Sequence, residues 1–230
     1  MYGNNPIRPP VSKSQKGGDG SSLDVKHVFP TLQGEGPFAG HPAVFVRLGG
    51  CNLACHFCDT EFEDYTEYSL AQLLERVKTL ALNEDGRRVR NLVVITGGEP
   101  LRQEITPLCE ALIADGFAVQ IETNGTLWRE LPRPVHIICS PKNTGHGYVP
   151  VRADLLERIS AFKFIIASGD ARYNHVGDVG QGAYNIPVYV QPMDEYDAVK
   201  NKQNRALALE LAERYGYILS LQTHKILGIE

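Results

Sequence analysis

Short apolar runs alternate with longer amphipathic segments along the chain from Leu23 onward. The runs are rich in Val and Ile and too short for helices, so they predict β-strands. The predicted strands are residues 43–48, 91–96, 118–122, 135–139, 161–167, 186–191 and 218–221. Between them, apolar residues recur at helical spacing, which predicts helices over residues 70–81, 105–114 and 206–215.

This order of elements is typical of an α/β fold that is built from βα units around a largely parallel sheet. A closed eight-fold barrel takes about 250 residues, or about 31 for each unit. The segment 23–230 is therefore long enough for at most about six or seven units. We predict a single domain over residues 23–230, folded as a partial, open βα barrel of about six strands.

Residues 1–22 have a different composition from the rest of the chain. They are rich in Pro and Gly, and Ile7 and Val11 are the only aliphatic residues before Leu23 apart from the initiating Met1. Such a segment buries too little apolar surface to offset the entropy lost on ordering. We predict that it is a flexible leader outside the fold.

Composition narrows the class of protein. No apolar stretch reaches the roughly 18 residues of a membrane span, and no apolar core follows the N-terminal basic residues as in a secretory signal. The net charge of −4 argues against a nucleic-acid binder. Three of the five cysteines lie within eight residues, which is typical of a metal or cluster site in a reducing compartment, so we expect a cytosolic protein.

Polar or Gly-rich tripeptides follow the predicted strands directly. They occupy residues 49–51, 97–99, 124–126, 140–142, 192–194 and 222–224. The C-terminal ends of parallel strands face one common mouth, where ligands bind in α/β folds. Glu, Asn, Lys, Asp and His at these positions therefore predict a binding site at that mouth.

The strongest indication of function in the sequence is the cysteine motif Cys51-Asn-Leu-Ala-Cys55-His-Phe-Cys58. Three thiolates on one loop can converge on one metal or on one corner of a cluster. Zinc needs four closed ligands in a structural site, and His56 is a candidate for the fourth. An iron-sulfur cluster held by three thiolates keeps one iron open for a ligand that is not protein. Cys109 and Cys139 lie in a predicted helix and a predicted strand, so we expect them to be core thiols.

Cys51, Cys55 and Cys58, with Phe57 before the last of them, resemble the C-x3-C-x2-C signature of the radical S-adenosylmethionine superfamily. Residues 97–100 (Gly-Gly-Glu-Pro) resemble its GGEP motif. The resemblance implies a 4Fe-4S cluster on the three cysteines and S-adenosylmethionine on the open iron. Carbonyl groups near Gly98 can accept from the ammonium of that ligand, and Glu99 adds negative charge nearby.

Further motifs resemble the 7-carboxy-7-deazaguanine synthase family within that superfamily, over roughly residues 25–230. They are residues 31–36 (Thr-Leu-Gln-Gly-Glu-Gly), Arg47, residues 59–60, 122–125, 140–142, 191–194 and 222–225. The resemblance implies a radical ring contraction of 6-carboxy-5,6,7,8-tetrahydropterin to 7-carboxy-7-deazaguanine with loss of ammonia, in queuosine biosynthesis. It also implies Mg²⁺ as a cofactor, a homodimer, and a flavodoxin- or ferredoxin-like reductant.

The resemblance assigns site residues by position. The expected substrate contacts are Leu32, Gln33, Gly34, Glu35, Arg47, Thr96 and Glu230. The expected S-adenosylmethionine contacts are Phe57, Cys58, Asp59, Gly98, Ser140, Pro141, Lys142, Gln191, Pro192, Met193 and Asp194. Thr60 is the expected magnesium ligand. The terminal position is often proline in the family, whereas Glu230 ends this chain.

The chemistry of the substrate agrees with several of these assignments. A pterin has amide-like edges that need directional donors and acceptors, which Gln33 and Glu35 offer. Its carboxylate needs a cation, and the guanidinium of Arg47 is a bidentate fork. Glycines at positions 34 and 36 allow the chain to approach a flat ring. His224 is as consistent with a buried structural histidine as with a substrate contact.

Two other functions remain open at this point. An enzyme that activates a glycyl-radical partner would share the cluster motif and the small size but would act on a protein. A non-enzymatic metal-binding module would use the cysteines for structure alone. Neither explains the Gln-Gly-Glu-Gly loop at residues 33–36.

Overall fold

The computed structural model describes residues 17–143, 145–149 and 151–229. Its nine strands are β1 (Ser22–Leu32), β2 (Pro42–Leu48), β3 (Thr66–Ser69), β4 (Leu92–Gly97), β5 (Ala118–Thr123), β6 (His136–Cys139), β7 (Ile159–Ile166), β8 (Val188–Pro192) and β9 (Ile218–Leu219). Its α-helices are α1 (Leu70–Ala81), α2 (Thr106–Ala114), α3 (Ala153–Leu156), α4 (Ala198–Tyr215) and α5 (Thr223–Leu227). Short 3-10 helices span Gly36–Phe38 and Pro100–Arg102.

All nine strands form one sheet in the order β3-β1-β2-β4-β5-β6-β7-β8-β9. Strands β2 and β4 to β9 run parallel, whereas β1 and β3 are antiparallel to their neighbours. The predicted α/β class with a largely parallel sheet is therefore confirmed. The seven predicted strands correspond to the parallel strands β2 and β4 to β9, whereas the antiparallel strands β1 and β3 were not predicted.

The sheet curls into an open barrel. The backbone N–H of Thr223, which follows β9, donates to the carbonyl of Gly34, which follows β1, at 3.0 Å. Strands β1 and β9 stand near opposite ends of the strand order. This contact between the segments that follow them requires the sheet to curve round on itself.

The two faces of the sheet differ in chemistry. Alternate strand residues such as Val46, Ile95 and Phe164 point outward into the main core, where helices cover them. Arg47, Thr96 and Lys163, each one residue away, point to the inner face and line a cavity there. This alternation follows from the two-residue repeat of a strand. The helices supply stability on the outside and leave the inner face for chemistry.

The helix ends follow the capping residues in the sequence. The Ser69 side chain and the Gln72 side chain form a reciprocal capping box at the start of α1. The Asp197 carboxylate accepts from the backbone N–H groups of Val199 and Lys200 at the start of α4. Helix α4 ends at Gly216, whose φ of 72° is the left-handed conformation that glycine adopts at low cost.

Most of the predicted leader, residues 1–16, lies outside the described residues. The end of the predicted leader is packed, because a Cβ atom on Gly20 would lie 2.7 Å from the carbonyl oxygen of Glu104. Strand β1 begins at Ser22. Among the described residues, no helix combines the length and apolar character needed to cross a bilayer.

Candidate active site

A cavity of about 480 Å³ occupies the inner side of the sheet. It brings together most of the side chains that the sequence predicted. The predicted residues that line it are Leu32, Gln33, Gly34, Glu35, Arg47, Cys51, Cys55, Phe57, Cys58, Asp59, Thr60, Thr96, Gly98, Ser140, Lys142, Gln191, Met193 and Asp194.

Three predicted residues are not in this lining. Pro141 and Pro192 lie beside lining residues but do not reach the cavity, and Glu230 lies outside the described residues. A wider depression of about 740 Å³ lies on β3 and α1, and none of the predicted site residues lines it. The chemistry of the chain is therefore concentrated in the inner cavity.

The three cysteines of the motif lie on the loop that follows β2. Each is partly buried, and each faces the cavity as a free thiol. Burial raises the pKa of the Cys51 thiol to about 12, and burial also raises the pKa of Cys55 and Cys58. Metal ligation requires the deprotonated form of each thiol. Cys109 and Cys139 are buried in the main core, as predicted.

Among the residues that the structure describes, no group of three His, Cys, Asp or Glu side chains is placed to hold a metal ion. Cysteines that bind different irons of a cluster are not required to meet at one point. Of the five cysteines in the chain, three line the cavity and two are in the core. This donor set fits a cluster that keeps one iron for a ligand that is not protein.

The loop with the cysteines is held by the segment after β4. The backbone N–H of Gly98 donates to the carbonyl of Leu48, and that of Glu99 donates to the carbonyl of Gly50 at 3.0 Å. A Cβ atom on Gly98 would overlap the Gly50 carbonyl and lie 2.8 Å from the backbone nitrogen of Cys51. The GGEP segment thus forms the base on which the cysteine loop rests.

The sequence predicts that the Glu99 carboxylate lies near the ligand and adds negative charge there, and the structure differs from this prediction. The carboxylate is fully buried and accepts from the Thr123 hydroxyl and the Asn124 N–H, each at 2.7 Å, and from the Leu101 N–H at 3.0 Å. Burial raises the pKa of this carboxyl, and these donors oppose the rise. Glu99 does not line the cavity. It ties the loop after β4 to the loop after β5.

Two side chains fix the outer parts of the cysteine loop. The Asn52 side-chain amide donates to the Thr126 hydroxyl at 2.8 Å and accepts from Asn124 at 3.0 Å. The Phe57 ring packs edge-on against Tyr173, with 4.9 Å between ring centroids. The loop is therefore joined to the chain after β5 and to the chain after β7, which limits the positions that the three thiols can take.

The segment around α5 closes one side of the cavity. The Lys225 ammonium lies 2.8 Å from the Asp59 carboxylate and 3.3 Å from the Asp194 carboxylate. It therefore bridges the cysteine loop and the end of β8. His224 lies against Gly34, where any Cβ atom would overlap the His224 ring. The small residue at position 34 accommodates this histidine rather than leaving the space open for a ligand ring.

The remaining polar lining has defined partners. The Lys142 ammonium donates to the Ser140 carbonyl at 2.7 Å and to the Ser140 hydroxyl at 2.6 Å. The Arg47 guanidinium lies over the Phe29 ring, 5.2 Å from its centre, which is within the range of a cation–π contact.

Sequence reasoning missed a charged group on the inner face. Lys163, in the middle of β7, lies between the carboxylates of Glu35 and Glu122, at 2.5 Å and 2.8 Å. Gln222 adds a hydrogen bond to Glu35 at 2.9 Å. The sequence does contain one indication of this group, because Lys163 is the only charged residue in the strand Ile159–Ile166. A buried lysine needs partners, so its presence there indicates acidic neighbours.

Comparisons with known proteins agree with this geometry. The "Radical SAM superfamily" model matches residues 45–137, which include the three cysteines and the GGEP segment. A 7-carboxy-7-deazaguanine synthase from Rickettsia prowazekii is 54% identical over all of this chain and 96% of its own length. Another from Rhodospirillum rubrum is 44% identical, with both chains fully covered.

A solved structure, the crystal structure of QueE from Escherichia coli, has the same fold. It aligns with a TM-score of 0.68 at 27% identity and covers 87% of this chain and 94% of its own. The fold and the cysteine loop thus define an enzyme of the radical S-adenosylmethionine superfamily, whose members use a 4Fe-4S cluster and S-adenosylmethionine. Within that superfamily, the chain belongs to the 7-carboxy-7-deazaguanine synthase family.

Proposed function

We propose that the inner cavity holds the cluster, S-adenosylmethionine and a pterin side by side. There the chain carries out the 7-carboxy-7-deazaguanine synthase activity of its close full-length relatives. The reaction is the ring contraction of 6-carboxy-5,6,7,8-tetrahydropterin with loss of ammonia, a step towards queuosine. The observation that carries this proposal is that three free thiols and an acid- and amide-rich pocket share one cavity.

The cofactor end of the cavity is assigned to the cysteine loop and the strand ends beside it. Cys51, Cys55 and Cys58 would hold the cluster. When bound, the cluster and S-adenosylmethionine supply the radical that begins the reaction. The residues assigned to S-adenosylmethionine are Phe57, Cys58, Asp59, Gly98, Ser140, Pro141, Lys142, Gln191, Pro192, Met193 and Asp194.

The chemistry of these residues supports that assignment, and the two prolines in the set have an indirect role. The hydroxyl, amide and carboxylate groups of the set suit the ribose and adenine of the cofactor. Pro141 and Pro192 do not reach the cavity, so their contribution is to orient the residues on either side of them.

The substrate end is assigned to the segment after β1 and to the inner faces of β2 and β4. Gln33 and Glu35 would bind the amide-like edge of the pterin, and Arg47 would bind its carboxylate. Thr96 lines the cavity and is assigned to the substrate in this proposal. The further residues assigned to this end are Leu32, Gly34 and Glu230.

The oligomeric state, the electron donor and the location of the protein are separate proposals. We infer a homodimer that receives electrons from a flavodoxin- or ferredoxin-like protein in the cytosol. We also infer that residues 1–22 act as a leader to the catalytic domain over residues 23–230. The dimer and the electron donor follow from the family resemblance, the location follows from the cysteine pattern, and the leader follows from the composition of residues 1–22. Size-exclusion chromatography with light scattering tests the first of them directly.

The reaction itself is tested by anaerobic reconstitution with iron and sulfide. The reconstituted chain is then given S-adenosylmethionine, reductant, magnesium and the tetrahydropterin. We expect 7-carboxy-7-deazaguanine and ammonia. Formation of 5′-deoxyadenosine without the deazapurine would instead favour an enzyme that acts on a protein radical site. Formation of neither 5′-deoxyadenosine nor the deazapurine with any reductant would leave only the metal-binding module.

Replacement of Arg47 by lysine is expected to lower the affinity for the pterin about tenfold or more. Lysine keeps the charge but loses the planar fork and the stacking on Phe29. The affinity for S-adenosylmethionine should be unchanged. Both affinities are measured by anaerobic calorimetry. Arg152→Lys, at an exposed ion pair with Asp154, is the matched control. Equal loss of both affinities in Arg47→Lys would indicate a structural role.

Thr60 is proposed to hold magnesium, which would orient the substrate and balance the charge of its carboxylate. Magnesium is a hard ion that prefers oxygen ligands and commonly keeps waters and substrate oxygens. The Thr60 hydroxyl lies on the cavity wall, 3.4 Å from Asp59 Oδ1. The competing interpretation is that this Asp-Thr pair only caps a turn. In our proposal, the metal orients the substrate and balances its charge.

Replacement of Thr60 by alanine is therefore expected to lower turnover and to weaken the response to added magnesium. Thr60→Ser should retain most of both, because it keeps the oxygen atom. The visible spectrum of the cluster should be the same in both variants. The assay is turnover at a series of magnesium concentrations. Full magnesium stimulation in Thr60→Ala would contradict this assignment.

A further inference from the structure

Lys163 lies in the floor of the cavity and has no role in the reaction as described so far. Its neighbours Phe162 and Phe164 point outward into the main core, so the lysine side chain points inward. The side chain is 6% exposed, and its ammonium contacts both Glu35, at 2.5 Å, and Glu122, at 2.8 Å. A lysine this deeply buried costs stability unless both its charge and its donors are satisfied.

The two carboxylates are themselves held by side-chain amides. Gln222 donates to Glu35 at 2.9 Å, and Gln120 donates to Glu122 at 2.7 Å. The Gln33 amide makes a longer contact with Glu122, at 3.4 Å, so Glu35 has one amide donor, Glu122 has two, and both share one ammonium. Oxygen atoms in such a network have a fixed direction, because every partner is anchored on a different strand or loop. Glu35 and Glu122 both line the cavity.

We propose that Lys163 is a positioning residue for the substrate, which fixes the Glu35 carboxylate in its ionised form at the floor of the cavity. There Glu35 accepts from the N–H groups of the amino-pyrimidine edge of the pterin. This inference rests on the proposed function, because it takes the pterin as the ligand. Nothing in the sequence resemblance assigned a role to Lys163.

The ionisation of Glu35 depends on this contact. Burial raises the pKa of Glu35, but the Lys163 charge and hydrogen bond, with Gln222, bring the pKa down to about 2. Burial raises the pKa of Glu122, and Lys163 only partly opposes the rise. Without the ammonium, burial alone would raise the pKa of Glu35, and the facing Glu122 carboxylate would raise it further, so Glu35 would take up a proton more easily. A protonated Glu35 could not accept from both N–H groups of the ligand.

The other charged groups around this network do not replace Lys163. Burial lowers the pKa of His224, so this ring is mostly neutral above pH 7. Lys142 acts on Glu122 through charge but forms its own hydrogen bonds with Ser140. Lys163 is thus the cation in direct contact with Glu35 among the described residues.

The test is the affinity of the reconstituted, S-adenosylmethionine-bound chain for the tetrahydropterin between pH 6 and pH 9. The wild-type affinity should change little, because Glu35 stays ionised throughout. In Lys163→Met the pKa of Glu35 rises, so affinity should fall about tenfold or more at the acidic end. Affinity should recover as pH rises through that pKa and Glu35 loses its proton. Lys163→Arg, which keeps the charge, should lose less.

A double variant separates positioning from simple charge balance. Lys163→Met with Glu122→Gln removes one positive and one negative charge, which also relieves the destabilisation expected of the single variant. If Lys163 only balances charge, the double variant recovers the wild-type affinity. Our proposal requires that its affinity remain low and dependent on pH. Lys78→Met, at a surface ion pair with Asp115, is the matched control.

The outcomes distinguish this inference from the proposed function. If the wild-type chain converts the pterin and Lys163→Met binds it equally well at every pH, the positioning role is wrong and the function stands. If the wild-type chain neither binds nor converts the pterin, the proposed function is wrong, and the role of Lys163 falls with it. Equal losses of pterin and S-adenosylmethionine affinity in Lys163→Met would show a general structural role instead.

Discussion

Alanine at Cys51, Cys55 or Cys58 is expected to abolish the iron-sulfur cluster and all turnover. Each thiol lines the cavity, and the two other cysteines of the chain are buried in the main core. The remaining two thiols of the loop cannot hold a cubane cluster, and Cys109 and Cys139 do not line the cavity. The measurements are iron and sulfide content and the visible absorbance after anaerobic reconstitution.

The matched controls are Cys109→Ala and Cys139→Ala. Both side chains are fully buried among apolar residues, so their loss should cost about 1 kcal/mol of unfolding free energy through packing alone. The cluster should form normally in both variants. A folded Cys109→Ala protein that lost its brown colour would show that the ligands are assigned wrongly.

The parallel strands could be predicted from the sequence because of their position in the fold. Strands β2 and β4 to β8 are covered on both sides over much of their length, so they appear as Val- and Ile-rich runs. Strand β1 was missed because Asp24, Lys26 and Pro30 interrupt its apolar pattern. Pro30 is tolerated because β3 pairs only with Ser22–Val25 and leaves the rest of that edge open.

The sequence pattern also fails to predict the start of α4, again because polar residues interrupt the apolar pattern. Its hydrophobic stripe begins at residue 206, but the helix begins at Ala198. The first half of the helix buries Asn204, which is fully enclosed and bonds to Ser168, Met193 and Glu195. A polar residue on the buried face gives no apolar signal. Hydrogen bonds to three separate segments replace the usual contact with the core.

The candidate site was predictable at and just after the C-terminal ends of strands and was not predictable in the middle of a strand. Arg47 and Thr96 were found because motifs flank them. Lys163 was not, since its partner Glu35 lies 128 residues away in the sequence. The contact between Gly34 and His224 was not predicted either, because the two residues lie 190 positions apart in the chain. Pairings at that separation depend on how the sheet curls, which a local pattern does not specify.

Replacement of Gly98 by alanine is expected to have an effect almost as large as loss of a cysteine. A Cβ atom at this position would overlap the backbone carbonyl of Gly50 and press on the backbone nitrogen of Cys51. Backbone atoms cannot rotate away as a side chain does, so the whole start of the cysteine loop must shift. Overpacking of this kind costs about 1–3 kcal/mol, and here the shift moves the first cluster ligand.

We therefore expect Gly98→Ala to fold with reduced stability and to retain little or no cluster after reconstitution. Thermal unfolding and iron content measure the two effects on the same sample. Gly182→Ala is the matched control, because a Cβ atom there meets nothing within 4 Å and its φ is ordinary. It should change stability by less than about 0.5 kcal/mol and leave the cluster intact. A full cluster in Gly98→Ala would mean that the cysteine loop does not depend on close contact with the GGEP segment.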